Sequence, residues 1–252
     1  MAGMQVQLRR SAVFVIALFM IAVTSSPILV SATQSTPEAT PAASPVAAAS
    51  ASPEQQLIEK YAPIAGLKNQ TKACDADGEP YLPVSVDAVL GHSDVTLKEI
   101  TGSSSAVDEV VTKAPTAQDL FGKGSNYYLD LPGNPRHAGC SYEAWFKATS
   151  PGATPTTYAH IVTDGSGRLV VQYWFYYIFN RFNNTHESDW EMMQIFFEVG
   201  TVADALKTEP TSVDYAQHGG GETSSWTDTK FHRDGNHPIV YSASGSHASQ
   251  YD

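Results

Sequence analysis

Cysteine is scarce in this chain: two residues in 252, Cys74 and Cys140. Neither has a Cys-x-x-Cys partner or a histidine close by, which argues against a structural zinc site. Basic residues are few as well, 15 Lys and Arg against 26 Asp and Glu, for a formal charge of −11. No Lys or Arg cluster lies beyond the first residues, so nucleic acid and anionic membrane are not expected as main partners. Long helical periods and repeats of fixed spacing are missing. No G-x-S-x-G elbow accompanies "HGGG" at 218–221, so that stretch does not read as an esterase oxyanion loop.

What is present falls into three parts. Residues 1–32 read as a signal peptide: Arg9 and Arg10 give the positive region, Ser11 to Val23 the apolar one, and Val30-Ser31-Ala32 a small-residue cleavage site. The alternative is an uncleaved membrane anchor, since Ala12 to Val30 is nearly long enough to span a bilayer. No Cys stands near the junction, which excludes a lipoprotein anchor. Residues 33–53 are Ala, Ser, Thr and Pro with too little bulk to bury, a disordered spacer. A single domain follows over 54–252. The expected location is therefore secreted or at the cell surface. In that compartment an even pair of cysteines forms a disulfide, and Cys74–Cys140 would close a loop of roughly 65 residues worth about 4 kcal/mol.

The domain reads as all-β, a two-sheet β-sandwich with few short helices. Gly and Pro punctuate it in "DGEPYLP", "LPGNPRH", "SPGATP" and "DGSGR". Between these lie strand-type runs at 126–131, 141–148, 156–162, 190–199, 212–217 and 238–243. The strongest, "RLVVQYWFYYIF" from Arg168 to Phe179, is nearly all apolar or aromatic and belongs at a sheet centre covered on both faces. Helical segments are expected only near 55–61 and 203–207.

In "NNTHESDWEMMQIFFEVG" the strand register decides where the acids go. Side chains alternate faces along a strand, so Glu191 shares one face with Met193, Ile195 and Phe197, and Asp189 begins on that same core side. Two half-sheltered carboxylates repel and lose solvation, so they need a cation, protons or a basic partner such as Arg181. His186, Asp189 and Glu191 together make hard oxygen donors plus an imidazole, a set suited to Ca²⁺, Mg²⁺ or Mn²⁺ and less to Zn²⁺. Two more histidines, His218 before three glycines and His247 in "SASGSHAS", also follow strand-type runs beside small residues. If the strands neighbour one another, His186, His218 and His247 would converge with Asp189 and Glu191, and His218, His247 and Glu187 would contact a bound ligand.

Four blocks in order, "YAPI" with "GEPYLPVSVD", "HESDWE", "YAQHGGGETSSW" and "HPIVYSASGSHASQYD", resemble the vacuolar protein sorting-associated protein 62 family. That resemblance implies a β-rich domain without assigned chemistry, and a C-terminus that continues past Asp252. Separately, "QYWFYYIFNRFNNTHESDWEMMQIFFEV" is similar to the central segment of necrosis- and ethylene-inducing-like proteins. The similarity implies a divalent cation held by His186, Asp189 and Glu191 at one end of a sandwich that binds sphingolipid sugars. Thr185 and Ser188 depart from that family's heptad, and an upstream aspartate ligand has no clear counterpart, leaving Asn180 or Asn183 to offer an amide oxygen.

Three functions are compatible with these residues. The leading one is a cation-dependent binder of a glycan or glycolipid headgroup. A metal-dependent hydrolase would use the same cation to activate water, with Glu187, His218 or His247 as acid or base. A surface interaction domain would use the charged motif structurally.

Overall fold

The computed structural model describes residues 6–10, 12–15, 51–74, 78–102, 108–217 and 219–251. Helix α1 (Pro53–Lys60) starts on the Ser52 side chain, which accepts from the Gln55 N–H, with Pro53 in the first turn where its missing donor does no harm. It buries Leu57 and Ile58 and stops before Pro63. The other helices are short: α2 (Ala117–Leu120), α3 (Ser141–Thr149) and α4 (Val202–Ala205). Among the described residues no helix is long and apolar enough to cross a membrane.

Two segments of the leader region are extended, β1 (Val6–Arg10) and β2 (Ala12–Val15). They lie at outer edges, β1 antiparallel to β3 (Ile64–Lys68) and β2 parallel to β7 (Thr156–Thr163). The largest sheet has six strands in the order β11-β10-β9-β8-β7-β2. Its members are β8 (Leu169–Asn180), β9 (His186–Phe197), β10 (Ser212–Gln217) and β11 (Gly220–Ser225). A second sheet joins β3 to β13 (His237–Ser242) in parallel, with β12 (Arg233–Asp234) and β14 (Ser249–Gln250) paired to β13. Tyr177 and Tyr215 of the large sheet donate hydroxyls to Ser242 and to the Ile239 carbonyl of the second, tying the two layers across the core.

The domain is β-dominated and sandwich-like, with one addition to the expected pair of sheets. A third sheet, in the order β5-β4-β6, is built from β4 (Thr96–Glu99), β5 (Glu109–Lys113) and β6 (Tyr127–Asp130). The segment 141–148, expected as a strand, is helix α3. Its sequence satisfies both periods: Tyr142, Ala144, Phe146 and Ala148 alternate, while Tyr142, Trp145 and Phe146 share a helical face. The helical set is the buried one. Glu143 is buried too and accepts from Gln70, Lys147 and the Cys74 N–H, beside the Cys74–Cys140 disulfide. The expected bridge is formed, with Cα atoms 5.2 Å apart.

Candidate functional site

Strand β9 begins four residues before Trp190, so "HESD", which precedes the run expected at 190–199, is itself strand, with Ser188 held at φ +64°. The register is the one the alternation gives. Phe175, Tyr177 and Phe179 stand opposite Glu191, Asp189 and Glu187 and share their face. Asp189 and Glu191 are 7% and 5% exposed, so both carboxyls sit at the edge of the core rather than in water.

Three groups hold Asp189. His247 places Nδ1 2.8 Å from Oδ2, Asn180 donates its amide to the same oxygen at 3.1 Å, and His186 Nε2 stands 3.5 Å from Oδ1. Burial pushes the Asp189 carboxyl up, but the His247 bond and charge keep it below its ordinary 3.8. Asn180 is fully buried at the end of β8, and its oxygen accepts from the Phe182 N–H at 2.9 Å. That bond turns its amide hydrogens toward Asp189, so Asn180 supports the acid instead of offering its oxygen to a ligand. Arg181, the expected basic partner, donates to the Gly78 carbonyl at 2.6 Å, and the cation beside Asp189 is His247.

His247 is completely buried, stacked on Tyr177 with ring centroids 3.9 Å apart. It sits at φ +57°, in a turn whose Gly245 N–H donates to Glu79 Oε2 at 2.7 Å. Its Nε2 lies 3.4 Å from Glu79 Oε1, within ion-pair range but not aligned as a hydrogen bond. Burial disfavours the imidazolium; the flanking Asp189 and Glu79 outweigh it and raise His247 to about 9. The sequence reading placed His247 against a ligand, whereas here it is an interior cation between two acids. Glu79 escaped that reading because it is 166 residues from the turn it braces.

Among the described residues Glu191 has no such partner cation. Burial and the charge of Asp189 raise its carboxyl to about 7, with His247 pulling only partly the other way. His186 is half-exposed, and its Nδ1 lies 2.6 Å from the Asn184 carbonyl. A carbonyl only accepts, so Nδ1 carries the proton and, in the neutral ring, Nε2 presents a lone pair to Asp189. A lone pair facing a carboxylate oxygen calls for a proton or a metal ion between them.

Beside this group opens a cleft of about 510 Å³ lined by Tyr128, Asp130, Asn134, Arg136, His186 and Glu187. Glu187 accepts from the Tyr142 hydroxyl, and burial keeps its carboxyl above the usual range despite that bond. His186, Glu187, Asp189 and Glu191 thus lie on the first half of β9, and His247 reaches Asp189 from the turn between β13 and β14 of the second sheet. His218 lies outside the described residues. Among the described residues no group of three or more His, Cys, Asp or Glu is gathered closely enough to hold a metal ion as it stands.

No protein-family model matches the chain and no curated protein matches it, so the resemblance to the vacuolar protein sorting-associated protein 62 family gains no support. Solved structures of the necrosis- and ethylene-inducing kind are similar at low identity. One, described as "Toxin fold for microbial attack and plant defense", is 16% identical with a TM-score of 0.44 over 80% of this chain and 69% of its own. Necrosis and Ethylene inducing Protein 2, from the causal agent of cocoa's Witches Broom disease, is 17% identical with a TM-score of 0.34, over 49% and 53%. A third, "NLPPya in complex with glucosamine", is 19% identical with a TM-score of 0.32, over 39% and 45%. The match to these last two spans about half of their length. With TM-scores below 0.5, these likenesses carry no argument about what this chain does.

Proposed function

We propose that the chain is an exported β-sandwich protein that binds a divalent cation through His186, Asp189 and Glu191 and, through it, a polar ligand such as a glycan or glycolipid headgroup. The observation that carries this is the charge deficit at the start of β9. Asp189 has His247, but Glu191 has burial and a like charge, and His186 Nε2 stands 3.5 Å from Asp189 Oδ1. Two carboxylates and one imidazole fit a hard cation that keeps waters or ligand oxygens in its shell, as Mg²⁺ and Ca²⁺ do, better than a closed zinc site. A bound cation would supply positive charge and open coordination positions for hydroxyl or phosphate oxygens. The cleft at His186 and Glu187 gives such a ligand room, with Arg136 and Asn134 as donors. Export belongs to the same proposal, and the Cys74–Cys140 disulfide supports an oxidising compartment.

Titration calorimetry of the chelator-stripped chain with Ca²⁺, Mg²⁺, Mn²⁺ and Zn²⁺ tests the reading. Saturable binding by one of the first three, lost in Asp189→Asn and weakened at least tenfold in Glu191→Gln, is the expected result. A second reading, that the charged motif is structural, draws on the two bonds already saturating Asp189 Oδ2. Absence of binding by the folded chain, with Asp189→Asn unfolding early, would replace the first reading by the second.

A further inference from the structure

The opposite face of the same strands carries a different chemistry. Trp190 points away from the acids and is 45% exposed, although it sits mid-strand in the domain's largest sheet. It is ringed by Tyr158, Tyr176 and Trp174, with centroids 5.5, 5.0 and 6.5 Å away. Tyr158, Trp174 and Met192 form one row across β7, β8 and β9. One step along the strands a second row runs His160, Gln172, Gln194, Asp214 and Thr223 across five strands. Three of its members are linked by hydrogen bonds, Gln172 Nε2 to Gln194 Oε1 at 3.3 Å and Gln194 Nε2 to Asp214 Oδ2 at 3.3 Å.

We infer that this outer face is a second, cation-independent binding surface, and that its occupant is a neutral carbohydrate chain. A pyranose has an apolar face of C–H groups and an equatorial rim of hydroxyls. The first lies well on the negative face of an indole, and the second needs amide and carboxylate partners a few ångströms to the side. Rows of like-facing residues on a strand are about 6.6 Å apart, twice the rise per residue, so a ring on Trp174 puts its hydroxyls over the amide row, and the next ring of the chain reaches Trp190, about 13 Å from Gln194. Charge complementarity points the same way. Neither row contains a Lys or Arg, Asp214 is their lone carboxylate, and Arg168, which lies over Phe196 one row further on, is paired with Asp164 and Glu198, so an acidic polymer finds no unpaired counter-charge there and a basic one finds little. The amides are self-satisfied in the free state, yet each keeps unused donor and acceptor positions on the outer side. Tyr158 and Tyr176 are buried beside Trp190, so the indole is held firmly with one side in water, and a flat sugar face covers that side.

The experiment is affinity electrophoresis of the full chain in gels containing mixed-linkage β-glucan, xylan or hydroxyethylcellulose, with pull-down on cellulose and chitin, all in excess EDTA. Binding to at least one of these is expected, weakened about tenfold or more in Trp190→Ala and in Gln194→Ala and unchanged in Phe121→Ala, an exposed aromatic residue outside both sites. Near-UV circular dichroism checks that each variant is folded; if Trp190→Ala is not, Gln194→Ala and Trp174→Ala carry the test. No retention of the wild type by any of the polymers, or retention equal in wild type and variants, overturns the inference. So does concentration-dependent self-association abolished by Trp190→Ala, which would make the face a contact between two copies of the chain. Because EDTA is present throughout, failure of the cation site leaves this result unaffected, and the reverse also holds.

Discussion

Glu191, Asp189 and His247 pull the pH dependence of stability in directions that can be separated. Glu191 is raised from an ordinary 4.5 to about 7, so between those values the folded chain holds a proton that the unfolded chain has released. Stability therefore falls as pH rises through that window, by at most about 1.4 kcal/mol per pH unit for one group. His247, raised from 6.5 to about 9, stabilises fully below 6.5 and loses that contribution as pH climbs toward 9. Asp189 is held below 3.8, so its contribution is present above that value and disappears in stronger acid. The cation-free protein should melt highest at about pH 4 to 5 and progressively lower toward pH 9. Thermal melts across that range check this, and Glu191→Gln should flatten the segment between 4.5 and 7. A melting temperature that rises from pH 5 to 8 would sink the assignment. His247→Ala is the more severe change, since it leaves Asp189 and Glu79 buried without their shared cation. A loss of about 3–5 kcal/mol in urea unfolding is expected, with His247→Gln recovering only part.

At the scale of elements, the pieces that carry this site come from three distant stretches and are fastened by local devices. Gly78 is one. A Cβ there would lie 2.2 Å from the Gln70 Cα and 2.6 Å from the Asn69 carbonyl oxygen, backbone atoms that cannot step aside. This close approach lets the Glu79 N–H bond to the Lys68 carbonyl at 2.9 Å and turns its side chain toward Gly245 and His247. Gly78→Ala should cost about 1–3 kcal/mol in denaturant unfolding and loosen the His247 turn, visible as faster amide exchange at Gly245. The disulfide is the second fastener. It joins the loop before Glu79 to the start of α3 across 66 residues, and replacing both cysteines by serine should lower stability by about 4 kcal/mol. Much of this scale is legible in the sequence. Strands β7, β8 and β10 lie where aromatic and β-branched runs put them, and alternation alone assigns Asp189 and Glu191 to the core face. Helix α3 is not legible because Tyr142, Ala144 and Phe146 satisfy the strand period as well as the helical one. Glu79 and Asn180 are not legible either, since each acts through partners that only the folded topology supplies.

For the whole molecule, the layering predicts how firmly each part is held. Strands β8 and β9, each of 12 residues, occupy the middle of the six-stranded sheet, and the inward side chains of β8 from Tyr173 to Phe179 are almost wholly buried. Breaking them exposes the core common to both large sheets, so their amides can exchange only near the cost of global unfolding. The three-stranded sheet is different. Val110 and Val111 of its edge strand β5 are 47% and 41% exposed, and β4 is joined to β5 through an irregular register at Leu97 and Lys98. That sheet can open while the sandwich stays closed. It also forms one wall of the cleft at His186, through Tyr128 and Asp130, with Lys98 paired to Asp130 at 2.9 Å. Hydrogen exchange followed by mass spectrometry should find 171–178 and 191–196 the slowest amides and 109–113 among the fastest. If the cleft takes a polar ligand, a saturating ligand should slow exchange in β6 and at the start of β9 while leaving β7 unchanged. Equal rates in β5 and β8 would mean that the three sheets unfold as one unit, and the cleft wall would then be as rigid as the core.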